Sequence, residues 1–132
     1  MAELRVRVGQ KGRSSSEGSA RKHRVTIDRP QEKGGGDEGP MGGELFVMGL
    51  GGCYMSNLLG LIRAREGAIH DVFVDVIAKV DGTPLRFVEF TLEVSGNTGN
   101  KAELEELALA AERACIVANS LRPFMPVRVR VM

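Results

Sequence analysis

The chain has no tryptophan, one tyrosine and five phenylalanines among its 132 residues. So few flat rings argue against a base-stacking platform for single-stranded nucleic acid. It also lacks a charge excess of either sign. Eighteen Lys and Arg against 17 Asp and Glu leave a formal net charge of +1, where a nucleic-acid binder shows a basic surplus. Histidine is scarce: His23 and His70 are the only two, and neither stands at ligand spacing from a cysteine, so no metal site is expected. There is no Cys-x-x-Cys of the thioredoxin type. The glycine run at 34–36 is not followed by Lys-Ser/Thr, so it is no P-loop and implies no nucleotide cofactor.

Secretion signals are lacking too. The first residues, Met-Ala-Glu-Leu-Arg-Val-Arg-Val, have no apolar segment and no small-residue cleavage site, so a reducing cytoplasm is the expected compartment. The longest uncharged run, 45–62, is just long enough to raise the membrane question. It carries Gly49, Gly51, Gly52, Gly60, Ser56 and Asn57, and reads as a helix buried in protein rather than in lipid. The length suits one domain spanning residues 1–132 with a lean core.

The periodicities then place the elements. Leu4, Val6 and Val8 alternate with Arg5 and Arg7, as in a half-buried strand. Residues 10–19 are rich in Gly and Ser and predict a turn or mobile loop. Residues 24–28 predict a second strand with Val25 and Ile27 inward, stopped by Pro30. Residues 31–43, with six glycines and a proline, predict no regular element and a flexible segment unless a partner pins it. Residues 44–66 predict a long helix, apolar almost all round, with Gly67 as its stop. A stripe of Gly49, Cys53, Ser56 and Gly60 would let another helix backbone approach closely. Val72, Val74, Val76, Ala78 and Val80 line one face of a third strand. Asp81-Gly82 turns the chain. Val88, Phe90, Leu92 and Val94 line the returning strand, with Glu89, Thr91 and Glu93 outward. Asn100 and Glu103 open a second helix with the stripe Leu104, Leu107, Ala108, Ala111, Cys115 and Ala118. Pro123 and Pro126 end it. Val127, Val129 and Val131 form a last strand. The order β-β-α-β-β-α-β predicts an α+β fold with mainly antiparallel pairing. The first helix is too apolar for a lone subunit, so a two-fold homodimer is expected.

Chemistry centres on the two cysteines, Cys53 and Cys115. Buried cysteines in a cytosolic protein are by default inert small hydrophobes. Three features favour more. Both fall on inward helix faces, glycines leave room around Cys53, and the polar pair Asn119 and Ser120 follows Cys115 in an otherwise apolar stretch. A thiol reacts as thiolate. Cys53 lies well beyond the first helical turn, where dipole stabilisation has faded, so a nearby Arg or an equivalent donor is needed. Arg13, Arg21, Arg24 and Arg29 are candidates, with solvated surface charge as the alternative. Glu44 is the acid nearest Cys53 on that helix. It sits about half a turn round and ~13.5 Å along the axis, so a catalytic role requires it to act across a dimer interface. The alternative is a partner for the helix dipole.

The segment Gly-Gly-Gly-Asp-Glu-Gly-Pro at 34–40, followed by Glu-Leu-Phe and a glycine-rich helix to Cys53, resembles the osmotically inducible protein C and organic hydroperoxide resistance family (OsmC/Ohr). Cys115 with Ile-Val-Ala-Asn-Ser-Leu is similar to its second cysteine motif. The resemblance implies an OsmC-like intertwined homodimer, with antiparallel sheets wrapped around two long central helices and active sites at the interface. It implies a thiol peroxidase without cofactor or metal. Cys53 would attack a small organic hydroperoxide, Cys115 would resolve the sulfenic acid as a disulfide, and an external dithiol would be the reductant. Glu44, Arg13 and Arg29 would be candidates for the family's acid and arginine. Gly43 occupies the acid position ten residues before Cys53, and Ile116 replaces a proline common after the second cysteine, so a slower, OsmC-like enzyme is expected. The other function considered is a non-enzymatic small-ligand-binding or stress-response protein on the same dimer. No nucleic acid and no membrane partner is expected.

Overall fold

The structure, a computed structural model, describes residues 1–65 and 68–132. The chain forms two compact units, Met1–Phe46 and Val47–Met132.

The first unit carries an antiparallel sheet of β1 (Arg7–Gln10), β2 (Ser16–Ala20) and β3 (His23–Ile27), in that order. β1 begins only at the end of the alternating stretch, sharing Arg7 and Val8 with it, and it is not half-buried: all four residues are exposed, and Leu4 before it is 95% exposed. Alternation marks the two faces of a strand without showing that either is covered. β2 corrects the expected loop at 10–19, which shrinks to the turn between β1 and β2. Its Ser and Gly are poor strand formers, yet Gly18 pairs with Val8 on one side and Val25 on the other. Ladder hydrogen bonds to two neighbours override a weak intrinsic preference.

The glycine-rich segment is also more structured than its composition predicts. A single 3-10 turn covers Gln31–Lys33, and buried Asp28 gathers the rest. Its carboxylate accepts from Ser14 Oγ at 2.9 Å and from the backbone N–H groups of Arg29 (2.7 Å), Gly36 (3.1 Å) and Glu38 (3.3 Å). Asp28 N–H donates to the Pro40 carbonyl at 3.0 Å, and Asp37 N–H to that of Arg29 at 2.9 Å. The glycines permit this close folding. A Cβ on Gly35 would lie 2.0 Å from the Arg29 carbonyl oxygen, and one on Gly39 would lie 2.2 Å from that of Thr26. The chain therefore pins this segment itself.

Helix α1 (Gly42–Arg65) leads into the second unit. Its expected end at Glu66 and Gly67 lies outside the described residues. It buries Leu50, Tyr54, Leu58 and Ile62, a strict four-residue repeat that makes one stripe. Burying each of these large side chains stabilises the unit by ~1.5–3 kcal/mol. The remaining circumference is apolar as well, and the helix is long and apolar enough to cross a membrane by length and composition alone. Gly49 and Gly60, members of the small-residue stripe, meet nothing within 4 Å, whereas Gly51 backs directly onto Val76.

β4 (His70–Asp81), β5 (Arg86–Asn97) and β6 (Val127–Val131) form the second sheet in that order. Phe90, Leu92 and Val94 are buried as the alternation predicts. One detail differs. A register shift pairs Val80 with Phe87, so Val80 is 51% exposed and Phe87, rather than Val88, packs on the core. β6 runs parallel to β5, a detail the sequence did not single out, while the other three described pairings are antiparallel, in keeping with the mainly antiparallel expectation. Parallel strands need a long crossover, and helices α2 (Lys101–Arg113) and α3 (Ile116–Leu121) supply it. Asn100 caps α2, accepting from Glu103 N–H at 3.1 Å. Leu104, Leu107, Ala108 and Ala111 face the core as expected. The expected single helix through Cys115 is not formed: it breaks at Ala114 and Cys115, and Cys115 takes an extended backbone (φ −77°, ψ 111°) as the N-cap of α3.

Candidate active site: a thiol pair at a helix break

That break shapes the site. Ala114 ends α2 while still helical, and the next residue turns extended. Cys115 therefore does not sit on a helix face. It sits in the corner between two helices, fully buried, with its Sγ accepting from the Ala118 N–H at 3.5 Å. Cys53, half-buried on α1, packs against the same core cluster. Both cysteines are free thiols.

The two sulfurs are hydrogen-bonding neighbours, and their surroundings treat them unequally. Burial opposes a thiolate at Cys53. The backbone N–H of Val117, the Cys115 thiol and the N–H of Ile116 outweigh it, and the Cys53 pKa falls below the usual thiol value. Burial also opposes a thiolate at Cys115, and there the negative charge and hydrogen bonding of Cys53 add to it, so the Cys115 pKa rises despite the N–H groups of Ala118 and Val117. The result is one half-buried thiol shifted toward ionisation beside one buried thiol shifted away from it.

Tyr54 follows Cys53 and is fully buried. Its hydroxyl donates to the Ala108 carbonyl at 2.8 Å, tying α1 to α2. Burial, then the charges of Glu112 and Cys115, push its phenol pKa up, so it stays a donor. Sequence reading passed over Tyr54, although its being the only tyrosine, next to a cysteine, was a usable signal. It also passed over Glu112 and Arg122, which look like ordinary surface charges in sequence. Asn119, a polar interruption of the apolar stretch, closes the end of α2 by donating through its amide to the Arg113 carbonyl at 3.1 Å.

The other sequence candidates lie in the first unit. Glu44 is exposed in the first turn of α1, and its carboxylate accepts from the Met41 N–H at 2.8 Å. That is the capping and dipole role of an N-terminal acid. Arg13 is exposed in the turn between β1 and β2. Arg29 is exposed beside Asp28, on a hollow of about 410 Å³ shared with Ser14 and Lys33. Cys53 and Cys115 are thus the pair of candidates brought together within one unit. A groove of about 360 Å³ between α1 and β4 is lined by Val47, Met48, Gly51, Gly52, Met55, Val74, Asp75 and Val76. Neither cysteine lines it, so it is not the pocket of the thiols. Among the described residues, no cluster of three or more His, Cys, Asp or Glu is arranged to hold a metal ion.

The site is thus a pair of free thiols, one half-buried and one buried, on an α+β scaffold. The family model of OsmC-like protein matches residues 34–130, and the chain belongs to this family. The fold is that of several solved relatives at low identity. An OsmC-like protein from Mycoplasma pneumoniae superposes with a TM-score of 0.84 at 17% identity, over 99% of this chain and 96% of that one. An OsmC-like protein of unknown function from Vibrio cholerae gives 0.82 at 13%, over 100% of both. The organic hydroperoxide resistance protein OhrB of Bacillus subtilis gives 0.70 at 18%, over 99% and 98%. No curated protein matches the sequence.

Proposed function

We propose that the chain is a cytoplasmic thiol peroxidase for small organic hydroperoxides. Membership of the OsmC-like family supports a stress-related redox role, and one structural relative is named for organic hydroperoxide resistance. The observation that carries the finer reading is the asymmetry of the thiol pair: Cys53 lowered and partly accessible, Cys115 raised and buried. A peroxidatic nucleophile needs the lowered pKa and the access to substrate, and a resolving thiol needs to lie beside it, sheltered until the sulfenic acid forms.

The cycle balances without a cofactor. The Cys53 thiolate attacks the outer oxygen of ROOH. The O–O bond breaks, Cys53 becomes a sulfenic acid, and the alkoxide leaves as ROH after taking a proton. The Cys115 sulfur then attacks the sulfenic sulfur; a disulfide forms and water leaves. An external dithiol reduces the disulfide by two exchange steps and is itself oxidised. The dimer belongs to this reading as well. The apolar circumference of α1 outside its buried stripe, with Met48 at 54% and Leu59 at 46% exposure, is a surface for a second copy.

Hydroperoxide consumption in the presence of a dithiol tests the proposal. Cys53→Ser should lose activity by roughly 100-fold or more, since a hydroxyl is a far weaker nucleophile at neutral pH. Cys115→Ser should complete one turnover and then stall as a sulfenic acid open to over-oxidation. Equal rates for wild type and the double serine variant would sink the peroxidase and favour a ligand-binding role.

A further inference from the structure

The break that carries Cys115 is bridged by a closed chain of polar contacts that the thiol chemistry itself does not use. Arg122, just beyond α3, donates through Nη1 to Asn119 Oδ1 at 2.8 Å and through Nη2 to Glu112 Oε1 at 3.1 Å. Asn119 in turn donates to the Arg113 carbonyl at 3.1 Å. Glu112 and Arg113 are the last residues of α2, and Asn119 lies in α3. The contacts therefore staple the two helices together on either side of Cys115. Backbone bonds complete the corner: Cys115 N–H donates to the Glu112 carbonyl at 3.2 Å, and Asn119 N–H to the Cys115 carbonyl at 2.9 Å.

We infer that Arg122 is a positioning residue, which acts through Glu112 and Asn119 to hold the helix break in the shape that aims the Cys115 sulfur and the N–H groups of Ile116 and Val117 at Cys53. An uninterrupted helix would satisfy its backbone internally and would turn those N–H groups to their own carbonyls. A break needs partners for the carbonyls it releases, and Asn119 is the partner for Arg113. Arg122 fixes the Asn119 amide through its oxygen, which leaves the nitrogen facing Arg113. A planar, forked guanidinium can meet an amide oxygen and a carboxylate together in one geometry; an ammonium holds that geometry less well. The ion pair is partly solvated, with side-chain exposures of 38% for Arg122 and 21% for Glu112. Pairs of that kind contribute little to global stability. The effect of the staple should fall on the thiols, not on the fold.

The titratable groups around the corner are Cys53 and Tyr54 from α1, Cys115 from the break, and Glu112 from α2. The inference rests on the proposed dithiol chemistry only in taking Cys53 as the reactive thiol, and its test needs no peroxide. The rate of Cys53 alkylation by iodoacetamide is followed against pH by peptide mass, in the full-length reduced protein. Arg122→Leu and Asn119→Ala should each slow alkylation at neutral pH about three- to ten-fold by moving the profile to higher pH, because the thiolate fraction falls tenfold per unit of pKa. The double variant should be no slower than the worse single one, as expected of residues acting through one network. Arg122→Lys should recover part of the rate. The thermal midpoint of Arg122→Lys and Asn119→Ala should stay close to wild type, which keeps the test valid if Arg122→Leu folds poorly. An unmoved alkylation profile in folded variants would overturn the inference, and so would full additivity of the two changes. A shifted profile in a protein that consumes no hydroperoxide would leave the positioning role standing and remove the peroxidase.

Discussion

Tyr54→Phe isolates a single interaction at the heart of the site. The ring is fully buried and its hydroxyl donates to the Ala108 carbonyl at 2.8 Å. Phenylalanine keeps the ring and its burial, so the ~2–3 kcal/mol of apolar stabilisation survives. One buried hydrogen bond is lost. The carbonyl left behind lies inside α2, where the helical hydrogen bond still serves it, so the loss should be near the ordinary net value of ~1 kcal/mol. For a chain of this size that lowers the thermal midpoint by roughly 3–5 °C. Tyr54→Ala removes the ring too and should cost ~3–5 kcal/mol. Urea titrations with a shared slope, at one fixed protein concentration, separate the two. The pH dependence adds a second check. The phenol pKa is raised by burial and then by the charges of Glu112 and Cys115. The hydroxyl therefore stays protonated through neutral and mildly alkaline pH, and the stability difference between wild type and the Tyr54→Phe variant should be flat there. A phenylalanine variant as stable as wild type would mean that the bond across α1 and α2 is not made. A difference that fades with rising pH would mean that the phenol ionises and that its surroundings do not hold it neutral.

Acid should loosen the first unit at Asp28. Its carboxyl pKa is depressed because the hydrogen bonds from Arg29, Ser14, Glu38 and Gly36 outweigh burial, which acts the other way. A depressed carboxyl contributes in full above its unfolded pKa of ~3.9 and loses that contribution as pH falls through the lower folded value. Amide exchange at Gly36 and Glu38 should therefore keep a constant opening free energy down to about pH 5 and lose protection only below it; loss already at neutral pH would contradict the assignment. Asp28→Asn should unfasten the same amides at all pH values while leaving the Cys53 alkylation rate within about two-fold, since the two sites lie in separate compact units. Gly51→Ala should gain ~1 kcal/mol of helix propensity and lose ~1–3 kcal/mol to a methyl placed 2.8 Å from Val76 Cγ2. A denaturation midpoint above wild type would show that Val76 yields more easily than a β-branched side chain should.

Much of the fold was legible because its larger elements obey simple periods. The stripe Leu104, Leu107, Ala108 and Ala111 gave the core face of α2, and Phe90, Leu92 and Val94 gave that of β5. Where the reading failed, a long-range partner had overruled local composition. Ser16–Ala20 is a strand because two neighbours pair with it. Residues 34–40 are ordered because Asp28 lies under them, and nothing within the segment announces that. The thiols were legible as a pair, since both fall in apolar segments and family resemblance joined them. Their inequality was not. It depends on the break after Ala114, and the residues around that break fit a continuous helix in composition: Ala114, Ile116, Val117 and Ala118 carry no Gly or Pro. Only Asn119 hinted at it. The side-chain contacts that bridge the break join residues spread along both helices, so no short run of sequence marks it.

The glycines on the open side of α1 give a prediction whose sign depends on what covers them. Gly60, like Gly49 and Gly52, has nothing within 4 Å of a Cβ built on it. In a lone chain, Gly60→Ala should stabilise the helix by ~1 kcal/mol, because alanine loses less backbone entropy on folding and adds no clash. In the proposed homodimer, a second α1 approaches over small residues, and a methyl group there separates the helices. Dispersion between packed atoms falls by a quarter to a half of its value over gaps of ~0.5–1 Å, so association should weaken even as each chain becomes more helical. The two effects separate by concentration. At dilutions where wild type is dissociated, Gly60→Ala should unfold at higher urea than wild type. At concentrations where wild type is dimeric, the order should invert, and sedimentation should show a raised dissociation constant. Replacing Gly60 with leucine should abolish the dimer and leave a folded, weakly stable chain. A stabilisation of ~1 kcal/mol that does not vary with concentration would place Gly60 outside any interface. The apolar side of α1 would then need a different occupant.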